Sequence, residues 1–219
     1  MAEVTVNVDG QECRLREGRW LLWELLRLGI EIPHICAEPD ADAPHASCRL
    51  CWVEVDGKLQ TACTTRVAGG MNVKTRTQRV DEMVASGFAL LMSMHRLDCR
   101  RCSANRRCPL QDIAKARKLP LRPKGLPVIV PDWPVDSSRP DLVIDPGKCV
   151  LCGKCVKVCN DEVKKGILAF VNRGLQTKIG TFDGRPLATQ GCGSCTRCAE
   201  VCPVGAIYLV KDAPEAIAK

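Results

Sequence analysis

The chain has 219 residues, a formal net charge of +7 and 16 cysteines, with aromatic residues at only 4%. The opening MAEVTVNVDG lacks the basic, apolar and small-residue regions of a secretory leader, and no apolar run approaches the ~18 residues of a membrane span. A disulfide-stapled secreted protein and a membrane span are thereby disfavoured, and reduced, metal-ligating cysteine in a cytoplasmic protein is the expectation.

Residues 2–8 alternate through Val4, Val6 and Val8, and Asp9-Gly10 supplies a two-residue hairpin turn. Counting outward from the turn pairs Val8 with Gln11, Val6 with Cys13 and Val4 with Leu15. Cys13 then lies on the apolar face as a small buried hydrophobe, outside any cysteine motif. Residues 19–28 read as a short leucine-rich helix ended by Gly29. Four cysteines follow, Cys36, Cys48, Cys51 and Cys63, spaced C-x11-C-x2-C-x11-C around the acidic stretch EPDADAPH. His34 and His45 flank them away from any ligand spacing and read as packing or surface residues.

From Thr77 to Met94 the apolar residues Val80, Met83, Val84, Phe88, Leu91 and Met92 recur at helical spacing, with Asp81 and Glu82 in the first turn. The helix delivers His95, which opens an H-x3-C-x2-C-x5-C pattern with Cys99, Cys102 and Cys108. Three cysteines that lack a fourth ligand make His95 the candidate, with a zinc site from the same residues as the alternative. Arg100, Arg101, Arg106 and Arg107 read as a solvated face. Residues 110–148 hold seven prolines, from Pro120 to Pro146, and predict an extended segment with little regular structure.

The back of the chain carries two C-x2-C-x2-C-x3-C runs, Cys149, Cys152, Cys155, Cys159 and Cys192, Cys195, Cys198, Cys202. This is bacterial ferredoxin spacing, in which three thiolates hold one [4Fe–4S] cluster and the fourth crosses to its twin. Cys149, Cys152, Cys155 and Cys202 then form one set, and Cys159, Cys192, Cys195 and Cys198 the other. Zinc has no use for eight cysteines in two identical quartets. The first run ends in Asn160 where the full motif has proline; the second keeps Pro203. The 32 residues between the runs contain ILAFVNRG and LQTKIGTFDG, an inserted hairpin, and KDAPEAIAK closes the chain as a polar tail.

The hairpin, helix and cysteine-loop order at the front resembles plant-type ferredoxins, and the C-x11-C-x2-C-x11-C and H-x3-C-x2-C-x5-C patterns extend the resemblance. Together they resemble the N-terminal iron–sulfur region of the complex I large iron–sulfur subunit. They equally resemble the small diaphorase subunit of NAD(P)-linked [NiFe] hydrogenases, down to Leu110-Gln111 after Cys108. The resemblance spans about residues 2–210 and implies an α+β chain. Its expected parts are a β-grasp [2Fe–2S] domain (1–76), a His-ligated [4Fe–4S] domain (77–119), a proline-rich linker (120–140) and a two-[4Fe–4S] ferredoxin-like domain (141–219). It implies one [2Fe–2S] and three [4Fe–4S] clusters, and an electron-transfer subunit between a flavin/NAD(P) diaphorase subunit and the hydrogenase small and large subunits.

With fifteen thiolates, four oxidised clusters bring about −7, so the formal +7 reads as compensation and not as a footprint for phosphate. No G-x-G-x-x-G or G-x4-G-K-[ST] occurs, so no nucleotide site and no catalytic centre is expected within the chain. The relatives' further domains do not follow residue 219, which leads to the expectation that catalytic partners are separate polypeptides. The iron–sulfur subunit of an electron-bifurcating hydrogenase or formate dehydrogenase is the alternative. A multi-zinc nucleic-acid binder would need stacking aromatics and a basic helix that the sequence lacks.

Overall fold

The computed structural model describes residues 2–39 and 43–213. Part of EPDADAPH (40–42) and the end of the polar tail (214–219) lie outside the described residues. The chain divides into two compact units, Met1–Phe88 and Ala89–Lys219.

In the first unit, β1 (Glu3–Val8) and β2 (Gln11–Arg16) form the hairpin with Val4 opposite Leu15, Val6 opposite Cys13 and Val8 opposite Gln11. Asp9 and Gly10 both take positive φ, the type I′ geometry that suits the strands' twist. Helix α1 (Leu21–Arg27) buries Leu21, Leu22 and Leu25 and stops at Gly29, whose φ of 78° only glycine adopts without strain. A second hairpin, β3 (Trp52–Val55) and β4 (Lys58–Thr61), turns at Asp56-Gly57. Strand β5 (Asn72–Lys74) then lies between β1, to which it is parallel, and β3, giving the order β2-β1-β5-β3-β4. One core joins this sheet to α1 and includes Cys51 and Cys63. Cys13 is half-buried against that core, less enclosed than the alternation predicts: of its same-face neighbours on β2, Leu15 is buried and Gln11 exposed.

Helix α2 (Gln78–Ser93) spans the join and buries Val80, Val84, Phe88 and Met92 at four-residue intervals. The expectation of little regular structure over 110–148 is corrected at both ends. Helix α3 (Pro109–Arg117) starts with Pro109 in its first turn, where a missing N–H costs nothing, and finishes before Pro120. At the far end β6 (Leu142–Ile144) is fully buried. Then come α4 (Lys154–Lys157), running into a π-turn at Val158–Glu162, and the inserted hairpin β7 (Leu168–Val171) and β8 (Lys178–Thr181). Helix α5 (Arg197–Glu200) and β9 (Ile207–Leu209) follow, β9 pairing antiparallel with β6.

Glu24 on α1 has a fully buried side chain, yet it is ionised. Its carboxylate accepts from the Arg16 backbone at 3.0 Å, from Arg16 Nε at 2.8 Å and from Arg27 Nη2 at 3.0 Å. Burial alone would raise its pKa; the Arg16 and Arg27 bonds outweigh it and hold the group below the usual carboxylate range. A depressed folded pKa stabilises above the unfolded value of about 4.3, and that contribution is lost as pH falls through the folded value. Glu24→Gln should therefore cost about 2–3 kcal/mol at pH 7 in urea unfolding of the full chain followed by tryptophan fluorescence. The gap to the parent chain should shrink below about pH 4.

Candidate iron–sulfur sites

Cys36, Cys48, Cys51 and Cys63 are all buried in the first unit. Cys36 and Cys48 Sγ stand 3.4 Å apart, and the Cys48 N–H donates to Cys36 Sγ at 3.5 Å. The hydrogen bond shared by the two thiols lowers the Cys36 pKa to about 5 and raises that of Cys48. Cys51 and Cys63 form a second such pair, with Cys63 lowered by the bond from Cys51 and Cys51 raised. Charge on Cys36 is felt at both Cys48 and Cys63, so the four share one site. His34 packs edge-on against Trp23, its ring centroid 5.6 Å away, and hydrogen-bonds the Ile32 carbonyl; His45 is exposed. Neither joins the cysteines.

Gly87 on α2 holds this loop in place from behind. A Cβ there would stand 2.7 Å from the Arg49 carbonyl oxygen, between Cys48 and Cys51. The helix approaches the cysteine loop so closely that only a hydrogen fits.

In the second unit His95 follows α2 and is 7% exposed. Burial lowers its pKa to about 4, keeping the imidazole neutral, and a hydrogen bond to the Lys148 backbone fixes the ring. Its Nδ1 has no partner, alone among the buried side-chain nitrogens and oxygens of the described residues. An orphaned, neutral, buried ring nitrogen fits a metal ligand. Cys99, Cys102 and Cys108 lie within electrostatic reach of one another, and burial raises the Cys108 thiol. Cys108 caps α3, and Gln111, one turn in, reaches back to the Arg106 N–H at 2.9 Å and to Asn105 Oδ1 at 3.0 Å. Gln111 thus braces the loop between Cys102 and Cys108. Arg100, Arg101, Arg106 and Arg107 are exposed.

The two later runs meet crosswise. Cys149, Cys152, Cys155 and Cys202 line one cavity, walled by Ile144, Val150, Ile179, Val204 and Ile207. Burial pushes Cys149 up to about 12 and raises Cys155, and both feel Cys202. Cys198 is also pushed up to about 12 by burial, with Cys192, Cys195 and Cys159 within electrostatic reach. Thiols this deeply buried do not ionise without a positive centre, and metal binding would release their protons. Among the described residues no group of three or more His, Cys, Asp or Glu side chains is arranged to hold a single metal ion.

Residues 1–78 match the 2Fe-2S iron-sulfur cluster binding domain, and residues 140–208 match the NADH-quinone oxidoreductase subunit 3, ferredoxin-like domain. A chain in the crystal structure of an NAD+-reducing [NiFe]-hydrogenase in the H2-reduced state superposes with a TM-score of 0.85 and 30% identity, over 95% of this chain and 88% of that one. The chain belongs to this iron–sulfur subunit family. Family members include an NADH-quinone oxidoreductase subunit of Rhizobium meliloti, 34% identical over 93% of this chain and 24% of that protein. They also include NADP-reducing hydrogenase subunit HndD of Solidesulfovibrio fructosivorans, 31% identical over 94% of this chain and 36% of that protein. The chain therefore spans about a quarter to a third of the length of these two family members. Among the described residues no helix is long and apolar enough to cross a membrane.

Gly87→Ala should displace the Cys48–Cys51 loop at a cost of about 1–3 kcal/mol, and the purified chain should retain about two fewer irons. Cys13→Ala, outside every set, should leave the iron content unchanged. Iron and acid-labile sulfide assays on the two variants check both outcomes.

Proposed function

We propose that the chain is a four-cluster electron relay of an NAD(P)-linked oxidoreductase, carrying single electrons between an FMN/NAD(P)-binding flavoprotein subunit and a hydrogenase module of small and large subunits. The observation that carries this reading is the crossed convergence of the two later cysteine runs, with Cys202 beside Cys149, Cys152 and Cys155, and Cys159 beside Cys192, Cys195 and Cys198. It is the arrangement a two-[4Fe–4S] ferredoxin-like domain over 141–219 requires. The mixed sheet of five strands with Cys51 and Cys63 in its core supports a β-grasp [2Fe–2S] domain over 1–76. The orphaned Nδ1 of His95 supports a [4Fe–4S] site with Cys99, Cys102 and Cys108 in a domain over 77–119, joined to the last by the linker 120–140.

Clusters of these types, when bound, take up and release one electron at a time with no bond made or broken at a substrate. The chain's own residues do the rest. The buried cysteines of the first set and the apolar walls around Cys149, Cys152, Cys155 and Cys202 limit the access of water. Backbone N–H groups of Leu151 and Ile207 donate to Cys149 and Cys202 Sγ, each at 3.3 Å, and would tune a cluster there as sulfur hydrogen bonds do. At His95 a neutral ring replaces a thiolate, which leaves that site one negative charge lighter and its potential higher. The flavoprotein and hydrogenase partners rest on the likeness to a chain of an NAD+-reducing [NiFe]-hydrogenase over 88% of its length. A cytoplasmic location follows from the same assignment.

The chain reconstituted without oxygen should hold about 14 irons, falling to about 10 in His95→Ala. Cys202→Ala should damage the same cluster as Cys149→Ala, so the double variant loses no more iron than either single one. A further loss of about four irons in the double variant would show that the two residues serve different clusters and would sink the crossed assignment.

A further inference from the structure

Arg139 ends the proline-rich linker, just ahead of β6. Its side chain is 7% exposed, a rare position for a guanidinium. Nη1 donates to the Cys195 carbonyl oxygen at 3.0 Å, and the Cys192 side chain lies within electrostatic reach of the guanidinium. On its other edge Nε donates to Asp141 Oδ1 at 2.8 Å and Nη2 to Asp141 Oδ2. The Asp141 side chain is 47% exposed.

The ion pair therefore has a direction. Its positive end is buried against two cysteines of one set, and its negative end stands in water, where it is better screened. Stability alone does not call for this arrangement, since the same pair formed at the surface would avoid the several kcal/mol of desolvation that burying the cation costs. Arginine is also suited to the place by shape. Its planar fork reaches a carboxylate and a carbonyl at once, which an ammonium on a flexible stem does not hold in fixed geometry.

The pseudo-symmetric set is treated differently. There the sulfurs of Cys149 and Cys202 take neutral backbone N–H groups, from Leu151 and Ile207. Around Cys192 a second cation helps: Lys165 Nζ donates to the Gly191 carbonyl at 2.6 Å and to the Cys192 carbonyl at 3.2 Å. Lys165 is exposed, so its charge reaches the site through more screening than that of Arg139.

We propose that Arg139 is a redox-positioning residue: its guanidinium, buried against Cys192 and Cys195, raises the reduction potential of a [4Fe–4S] cluster held by Cys159, Cys192, Cys195 and Cys198, and biases the electron toward that end of the ferredoxin-like pair. The physical reason is that reduction adds one negative charge, which a fixed, desolvated cation beside the site stabilises. The inference rests on the ligand assignment proposed above and adds an inequality between two sites that the assignment alone treats as twins.

The test is a potentiometric EPR titration of the reconstituted full chain, with each signal assigned by its loss in Cys159→Ala or in Cys149→Ala. Arg139→Gln should lower the midpoint of the Cys159-dependent signal, so that at the parent's midpoint its reduced-to-oxidised ratio falls about tenfold, about 59 mV for one electron. Arg139→Lys should recover most of that shift, and Lys165→Gln should move the signal less. Asp141→Asn removes the counter-anion and should move the midpoint upward, the opposite sign, which simple loosening of the loop does not produce. An unmoved Cys159-dependent midpoint in Arg139→Gln, or an equal shift of the Cys149-dependent one, overturns the proposal. If Arg139→Gln fails to hold its cluster, an unchanged or lowered midpoint in Asp141→Asn overturns it instead. Failure of the ligand assignment reads out separately, as a Cys159→Ala chain that keeps every [4Fe–4S] signal.

Discussion

A buried thiolate is unstable without positive charge or a hydrogen-bond donor beside it, and this chain buries or half-buries fifteen motif cysteines in a small fold. Everything around them follows from that constraint. Burial pushes Cys149 and Cys198 up to about 12, so in the absence of metal those sulfurs remain protonated and neutral. A cluster held by these sulfurs would turn the same cavities from apolar pockets into charged centres. Aromatic residues are scarce because the cores are built around sulfur and aliphatics: Cys155, Cys159, Cys192 and Cys198 belong to the same apolar cluster as Leu142, Leu168 and Ile179. Metal binding and folding are one process in such a structure.

The crossed sets carry a consequence for order of assembly. In the proposed ligation neither later site closes until both cysteine runs are in place, because each borrows its last sulfur from the other run. The hairpin β7–β8 separates the runs by 32 residues, yet loop closure grows only logarithmically with length, so the insertion costs little. What the insertion requires is a defined return path, and the antiparallel pairing from Leu168 opposite Thr181 to Val171 opposite Lys178 provides one.

Much of this was legible from spacing. Asp9-Gly10 predicts the first hairpin and its register, and the four-residue recurrence of Val80, Val84, Phe88 and Met92 predicts α2. Asp56-Gly57 is the same turn signal, but it lies among the cysteines, whose ligand spacing masks the strands on either side of it. Helix α3 was hidden by a proline count taken over too wide a window; its own residues, Pro109–Arg117, hold proline only at the first turn. The cysteine motifs could be recognised in the sequence because the spacing within each run is a local property. Gly87, Lys148 and Arg139 could not, because their roles arise from contacts across 38, 53 and 56 residues, to Arg49, His95 and Cys195. Their residue types carry no signal until the fold brings them to the site.

Strands β6 and β9 lie side by side and antiparallel, Leu142 opposite Leu209, so the chain enters and leaves the ferredoxin-like part at neighbouring points. A unit with adjacent entry and exit behaves like a cassette: it can be carried within a longer polypeptide without its core being opened. In Rhizobium meliloti the matching segment is 24% of a longer protein, whereas in the hydrogenase crystal structure it fills most of a chain of its own. The same wiring can thus be fused to its neighbours or held against them as a separate subunit, with no change to the sulfur cage inside.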